Sequence, residues 1–171
     1  MKIYKTNFEG LLIVKSKQFK DSRGLFRELL KESLLKKKFL FNVVSCSKKN
    51  VIRGLHYQSK NPQGKFISVV KGKILDVVLD LRKKSKTYGK HLKVILSDQN
   101  GTSIYIPEGF AHGFASLGRE NIVVYNCTNY RDKKNEKGIL WNDPKLKIKW
   151  PIKKPIISKK DLLNPSFESN K

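Results

Sequence analysis

From residue 41 onward the chain alternates apolar and polar positions in short runs, the period of two that half-buried strands carry. The runs are FNVVSCS (41–47), KFISVVKGKILDVVLD (65–80), HLKVILS (91–97), TSIYI (102–106), GFASL (113–117) and NIVVYNCTN (121–129). Two more strand candidates precede them, LLIVK (11–15) and the approach to KQFKDSRGLF. Turn signals separate the runs: DSRG (21–24), DQNG (98–101), PEG (107–109) and Gly118-Arg119. Gly72 predicts a hairpin between residues 69–70 and 73–81. In ILDVVLDL, Ile74, Asp76, Val78 and Asp80 share one face, and Leu75, Val77, Leu79 and Leu81 the other. Both faces are at least half apolar, so this strand is expected to be covered on both sides. Such a succession of short strands predicts an all-β sandwich or barrel.

Only residues 27–38, RELLKESLLKKK, have helical spacing. Leu30, Leu34 and Leu35 fall on one side, and Lys36, Lys37 and Lys38 suit the C-terminal end of the dipole. The tail from Arg131 is polar and then carries WNDP, IKWP and KKP. It is expected to wrap the barrel and end in a short helix after Ser158.

At 171 residues the chain is expected to be one domain, 1–171, long enough to bury roughly 70% of its unfolded surface. No apolar run reaches the ~18 residues of a membrane span or resembles a signal segment. Cys46 and Cys127 lie in strand-like sequence without CxxC spacing, so both are expected to be reduced and packed, as suits a cytoplasmic protein. The net charge of +23 invites a nucleic-acid reading. Yet the cations are overwhelmingly lysine, with arginine only at 23, 27, 53, 82, 119 and 131. Arginine is the residue of bidentate phosphate and base recognition, and no nucleic-acid motif organises the lysines. They read as solvated surface, with an anionic small-molecule substrate as a beneficiary.

Titratable side chains concentrate at the end of one apolar strand, in VIRGLHYQSKNPQGK (51–65). Of the three histidines, His91 reads as surface. Strict alternation puts Arg53 and His56 on opposite faces, so both reach one pocket only if Gly54 permits a bulge or bend. Asp76 should look inward, where a carboxylate needs a partner: His56, His112 or Lys65. By residue pattern alone Tyr125 is a core aromatic. Lys65 is either surface or a lone cation opening an apolar strand.

His112 closes PEGFAH, and P-x-G-x-x-H resembles the second motif of the cupin barrels, with RGLHYQ in the place of the first. Metal-binding cupins supply H-x-H and a later glutamate there. Here Gln58 stands at the second histidine and no glutamate follows at useful spacing, so no metal site is expected.

FKDSRG (19–24), NVIRGLHYQ (50–58), QGK (63–65), IPEGFAHGF (106–114), WND (141–143) and ISKKD (157–161) occur in that order. Together they resemble the dTDP-4-dehydrorhamnose 3,5-epimerase family over nearly the whole chain. The resemblance implies a cupin or jelly-roll β-sandwich barrel with a few short peripheral helices. It implies a cofactor-free isomerase, homodimeric, acting on a nucleotide-linked 4-keto-6-deoxyhexose. The C3–H and C5–H bonds flank the ketone, so proton removal gives an enolate and reprotonation from the other face inverts the centre.

The resemblance makes His56 the base, Tyr125 the opposite-face donor, and Lys65 the stabiliser of the oxyanion. Asp161 becomes the carboxylate that orients His56, although Ser158-x-x-Asp161 is also close to a helix capping box. Arg53, Gln58, Asp76 and His112 would line the sugar site, and Arg23, Phe26 and Glu28 the nucleotide site, commonly across the dimer interface. Asp143 in WNDP is expected to turn the chain. The sequence departs from the family where a Q-x-N pattern is usual, with Phe41 and Val43, and at Arg131 after Tyr130. Alternatives are a single-centre 3- or 5-epimerase on another NDP-4-keto sugar, or a sugar-nucleotide- or nucleic-acid-binding barrel without turnover.

Overall fold

The computed structural model describes residues 1–170. Its strands, in chain order, are β1 (Lys2–Lys5), β2 (Leu12–Lys15), β3 (Phe19–Asp21), β4 (Gly24–Phe26), β5 (Phe41–Lys48), β6 (Ile52–Gln58) and β7 (Lys65–Lys71). They continue with β8 (Lys73–Asp80), β9 (His91–Ser97), β10 (Thr102–Ile106), β11 (Phe110–Ser116), β12 (Glu120–Cys127) and β13 (Glu136–Gly138). Two one-turn helices, α1 (Glu32–Leu35) and α2 (Lys159–Leu162), are peripheral. A six-stranded sheet runs β1-β2-β10-β7-β12-β5 and a five-stranded sheet β13-β6-β11-β8-β9, while β3 and β4 form a separate hairpin. All named pairings are antiparallel, the all-β sandwich that the alternation predicts.

The core lies between the two sheets. Ile67 and Val69 of β7, Ile104 and Ile106 of β10 and Val123 of β12 meet Ile74 and Val78 of β8, Leu96 of β9 and Phe110 and Phe114 of β11. Burying each such side chain stabilises the fold by ~1.5–3 kcal/mol. The alternation in β8 holds: Ile74 and Val78 face this core, while Val77 and Leu79 pack on the other side against Ile139, Leu146 and Ile148 of the C-terminal tail. The tail therefore covers the back of the five-stranded sheet, which explains a strand apolar on both faces. Across the molecule, Val14, Phe66 and Tyr105 on the back of the six-stranded sheet are covered by Leu30, Leu35 and Phe39.

Three expectations are corrected. β7 and β8 are not a hairpin: β7 pairs with β10 and β12, and β8 with β9 and β11. At Gly72 (φ +84°) the chain instead passes from one sheet to the other, so close to Glu120 that a Cβ would lie 2.2 Å from its carbonyl oxygen. The helix over 27–38 shrinks to the four residues of α1. Leu30 and Leu35 are taken up by the sheet's back face, Lys36 adopts a left-handed conformation (φ 51°), and the Phe39 N–H donates to Glu32 Oε1 at 3.1 Å. Of the two unpaired cysteines, Cys127 is buried but Cys46 is exposed on β5.

Candidate active site

The strand that carries the titratable cluster is bent where its glycine allows it. Opposite β11, His56 pairs with His112 and Arg53 with Phe114, so β6 holds one extra residue and bulges. Gly54 sits in the bulge at φ +111°, with its α-carbon packed so near β11 that a Cβ would stand 2.6 Å from the Gly113 backbone. The extra residue turns Arg53 and His56 towards one cavity of about 670 Å³, as the alternation argument requires.

Side chains enter this cavity from both sheets and from the tail. His56 and His112 come from the five-stranded sheet; Lys65 and Tyr125 come from the six-stranded one. Residue 161 arrives on α2. Its backbone N–H donates to Ser158 Oγ at 3.1 Å, so Ser158 does cap the helix. Its carboxylate is thereby left free, and Oδ1 stands 2.7 Å from His56 Nε2 while Oδ2 accepts from the Gly54 N–H at 3.2 Å. Cap and dyad are one arrangement rather than rival readings. Burial pushes the Asp161 carboxyl up, but the hydrogen bond and charge of His56, the Gly54 N–H and Lys160 outweigh it and hold it below the usual range. The Nδ1 of His56 has no partner among the described residues and is the nitrogen available to take a proton.

Tyr125 donates to or accepts from Ser45 Oγ at 3.1 Å, and burial pushes its phenol well above its ordinary value. It is therefore an acid that keeps its proton until a strong base forms beside it. Lys65 opens β7 beneath the cavity. Desolvation lowers its affinity for a proton, opposed by Cys127, Glu136 and Asp76, and no carboxylate lies within ion-pair distance among the described residues. Such an ammonium is a donor in want of an acceptor. Arg53 is braced by Ser47 Oγ at 3.0 Å and by the Cys46 carbonyl at 3.2 Å.

Other expected site residues are placed differently. Asp76 does not line the cavity; its Oδ2 lies 2.7 Å from His112 Nε2 behind it. Gln58 faces a neighbouring hollow, and its amide is held by the carbonyls of Asn61 and Tyr130 and by the Asp132 N–H. Arg23, Phe26 and Glu28 lie on and after the exposed β3–β4 hairpin, outside the cavity of their own chain. Asp143 turns the chain, accepting from the N–H groups of Lys145 and Leu146. His91 is half-buried rather than fully exposed, and burial lowers its proton affinity.

Sequence reasoning missed the charged rim. Arg131 binds Glu136 through two bonds of 3.2 and 2.8 Å, and Lys160 binds the same carboxylate at 2.8 Å. Burial raises Glu136, yet these two cations hold it at about 2. Cys127 and Ser45 also line the cavity; both could have been found by carrying the alternation from Tyr125 along β12 and across to β5. Among the described residues no three His, Cys, Asp or Glu side chains converge as metal ligands would.

A carboxylate-oriented histidine, a buried tyrosine and an ammonium without an ion-pair partner among the described residues line one cavity from two sheets, a set of groups suited to acid–base chemistry in a cupin-like β-sandwich. The family model for dTDP-4-dehydrorhamnose 3,5-epimerase matches residues 5–169. The dTDP-4-dehydrorhamnose 3,5-epimerase of Methanothermobacter thermautotrophicus is 43% identical over 165 residues, 92% of this chain and 89% of that protein. That of Shigella flexneri is 41% identical over 174 residues, 98% of this chain and 96% of its own. The crystal structure of the Legionella pneumophila dTDP-6-deoxy-D-glucose-3,5-epimerase in complex with dTDP-4-keto-L-rhamnose superposes with a TM-score of 0.92 at 39% identity, covering 96% of this chain and 92% of that one. The chain belongs to the dTDP-4-dehydrorhamnose 3,5-epimerase family.

Proposed function

We propose that the protein epimerises C3 and C5 of dTDP-4-dehydro-6-deoxy-D-glucose, giving dTDP-4-dehydro-L-rhamnose. The observation that carries this reading is the His56–Asp161 pair at 2.7 Å facing Tyr125 from the opposite sheet. A base on one side of a ring and an acid on the other is what inversion demands. His56 Nδ1 takes the proton beside the C4 ketone, and the carboxylate of Asp161 stabilises the imidazolium that forms. Charge then grows on the carbonyl oxygen, where the Lys65 ammonium meets it; a preorganised donor of this kind is typically worth ~3–4 kcal/mol. Tyr125 returns a proton to the other face. The ketone itself acidifies both C–H bonds, so the chemistry calls on no cofactor.

The nucleotide end is proposed to be completed by a second copy. The β3–β4 hairpin projects Phe19, Leu25 and Phe26 with 51%, 44% and 65% of their surface exposed, and β5 leaves one edge of its sheet unpaired. A symmetric dimer would cover both and bring Arg23, Phe26 and Glu28 of one protomer to its partner's cavity. Residues 1–171 are read as a single catalytic domain of a cytoplasmic enzyme; no helix among the described residues is long and apolar enough to cross a membrane.

Incubation with the keto sugar nucleotide in deuterated water, followed by proton NMR, tests the reading. Deuterium at both C3 and C5 is expected, label at one centre marks a single-centre epimerase, and no label with any 4-keto sugar nucleotide refutes the enzyme. His56→Ala should abolish exchange at both centres.

A further inference from the structure

The cavity wall carries a second histidine, backed by its own carboxylate, that the acid–base assignment leaves without a task. His112 stands opposite His56 in the β6–β11 pairing, and its Nε2 lies 2.7 Å from Asp76 Oδ2. Nitrogen and distance are those of the His56–Asp161 pair. His112 reaches the cavity surface with 5% of its side chain exposed, whereas Asp76 stands behind it with none. Among the described residues, buried Asp76 Oδ1 has no hydrogen-bond partner. Leaving one oxygen of a buried carboxylate unpaired costs free energy that an apolar residue on β8 would not incur, as Ile74 and Val78 on the same face illustrate. A pair kept only for packing would not be built this way.

We propose that Asp76 is a positioning residue for the proton transfer, holding the His112 ring with its Nε2 proton turned away from the sugar and its Nδ1 turned towards it. The inference rests on the epimerase reading. A histidine ring has two tautomers, and the one present is set by the bond its other nitrogen makes. With Asp76 fixing the proton on Nε2, Nδ1 is an acceptor on the cavity wall, suited to the hydroxyl that neighbours the ketone. The substrate is then pinned by His112 on the five-stranded sheet and by Lys65 on the six-stranded one, with its carbonyl edge set against both. A carbon acid must present its C–H bond to the base within a narrow range of angle and distance, so a loosened wall costs rate before it costs binding. The buried charge acts in the same direction on its neighbours, since Asp76 favours the charged form of Lys65 and disfavours ionisation of Tyr125.

The test is Asp76→Asn, compared with the wild-type protein by steady-state kinetics, thermal unfolding and nitrogen-15 NMR of the histidine rings. The expected result is a kcat lower by about 10- to 100-fold, the usual cost of removing a partner that orients a functional histidine. KM should stay within about threefold, because Asp76 makes no contact with the substrate. The His112 signal should move from the Nε2–H to the Nδ1–H tautomer, because the new amide can offer a donor where the carboxylate accepted. An unchanged kcat overturns the proposal, as does a loss that follows the unfolded fraction alone with the tautomer unmoved. If the variant does not fold, an Nδ1–H tautomer of His112 in the wild-type protein overturns it. A wild-type protein without exchange at C3 or C5 refutes the epimerase reading and takes this proposal with it; wild-type exchange with an unaffected variant refutes the proposal alone.

Discussion

Replacing Asp161 by asparagine separates what this residue does for the helix from what it does for the base. Its backbone N–H, which Ser158 caps, is untouched by the change. The side chain keeps its shape in a site where only 4% of the residue is exposed, and an amide oxygen can still accept from the Gly54 N–H. With its oxygen so engaged, the amide presents NH2 to His56 Nε2, where the carboxylate oxygen stood at 2.7 Å. Two donors then face each other unless the imidazole moves its proton to Nδ1. That is the nitrogen that must be empty to take the C–H proton. The variant is folded, binds substrate and holds its base in the wrong tautomer.

A histidine base deprived of its carboxylate in this way loses up to ~10⁴-fold in rate in the serine proteases. Here the proton comes from carbon and the lost charge also stabilised the imidazolium, so a fall of ~10²–10⁴ is expected, or ~3–5 kcal/mol on the barrier. Deuterium incorporation at C3 and C5, followed by proton NMR under saturating substrate, should fall together with net epimerisation, because both need the same abstraction. KM should change by less than about threefold. Exchange within about threefold of the wild-type rate would refute the dyad and return Asp161 to a helix-capping role.

For Tyr125→Phe, proton abstraction survives while the opposite-face donor is lost, so deuterium exchange should be retained better than inversion; an unaffected inversion rate removes Tyr125 as the acid. Lys65→Met should lower exchange and epimerisation alike by ~10²–10³-fold with little effect on stability, since a buried ammonium without a carboxylate partner stabilises the enolate more than the fold. Acid unfolding should report Asp80, which burial raises but which Arg82, Thr87 and Ser85 hold at about 2 against an ordinary 3.8. Its folded form binds protons more weakly than its unfolded form, so its contribution is complete above pH ~4 and is lost as the pH falls towards 2, ~2 kcal/mol in all. Urea melts between pH 5 and 2 should show this component, and Asp80→Asn, less stable throughout, should lack it.

The parts of the fold legible in the sequence were those set by which face a side chain occupies. The two-sided pattern of β8 gave both the inward Asp76 and the covered outer face, and the phase conflict between Arg53 and His56 required the bulge at Gly54. Pairing was not legible, because alternation is the same whether consecutive strands join one sheet or cross to another. The passage at Gly72 therefore read as a hairpin. The leucines of residues 27–38 have helical spacing, but Leu30 and Leu35 gain more by covering Phe66 and Tyr105 than a short, uncapped, lysine-rich helix gains by forming.

The site was legible where one strand carried it and illegible where loops met. His56, His112, Lys65 and Tyr125 converge because β6, β11, β7 and β12 are central strands whose phase is fixed by the core. Arg131, Glu136 and Lys160 lie on segments whose approach is set by the tail, and nothing in their spacing announces that two cations will share one carboxylate. Asp161 stands between these cases. Its helix start was visible as Ser158-x-x-Asp161, but the parallel bridge between Val51 and Ile156, which helps bring that helix beside β6, was not. The proposed base, His56, is thus held by the core and its carboxylate by the tail, so any loosening of residues 151–161 should reach the chemistry through the dyad before it reaches the stability of the two sheets.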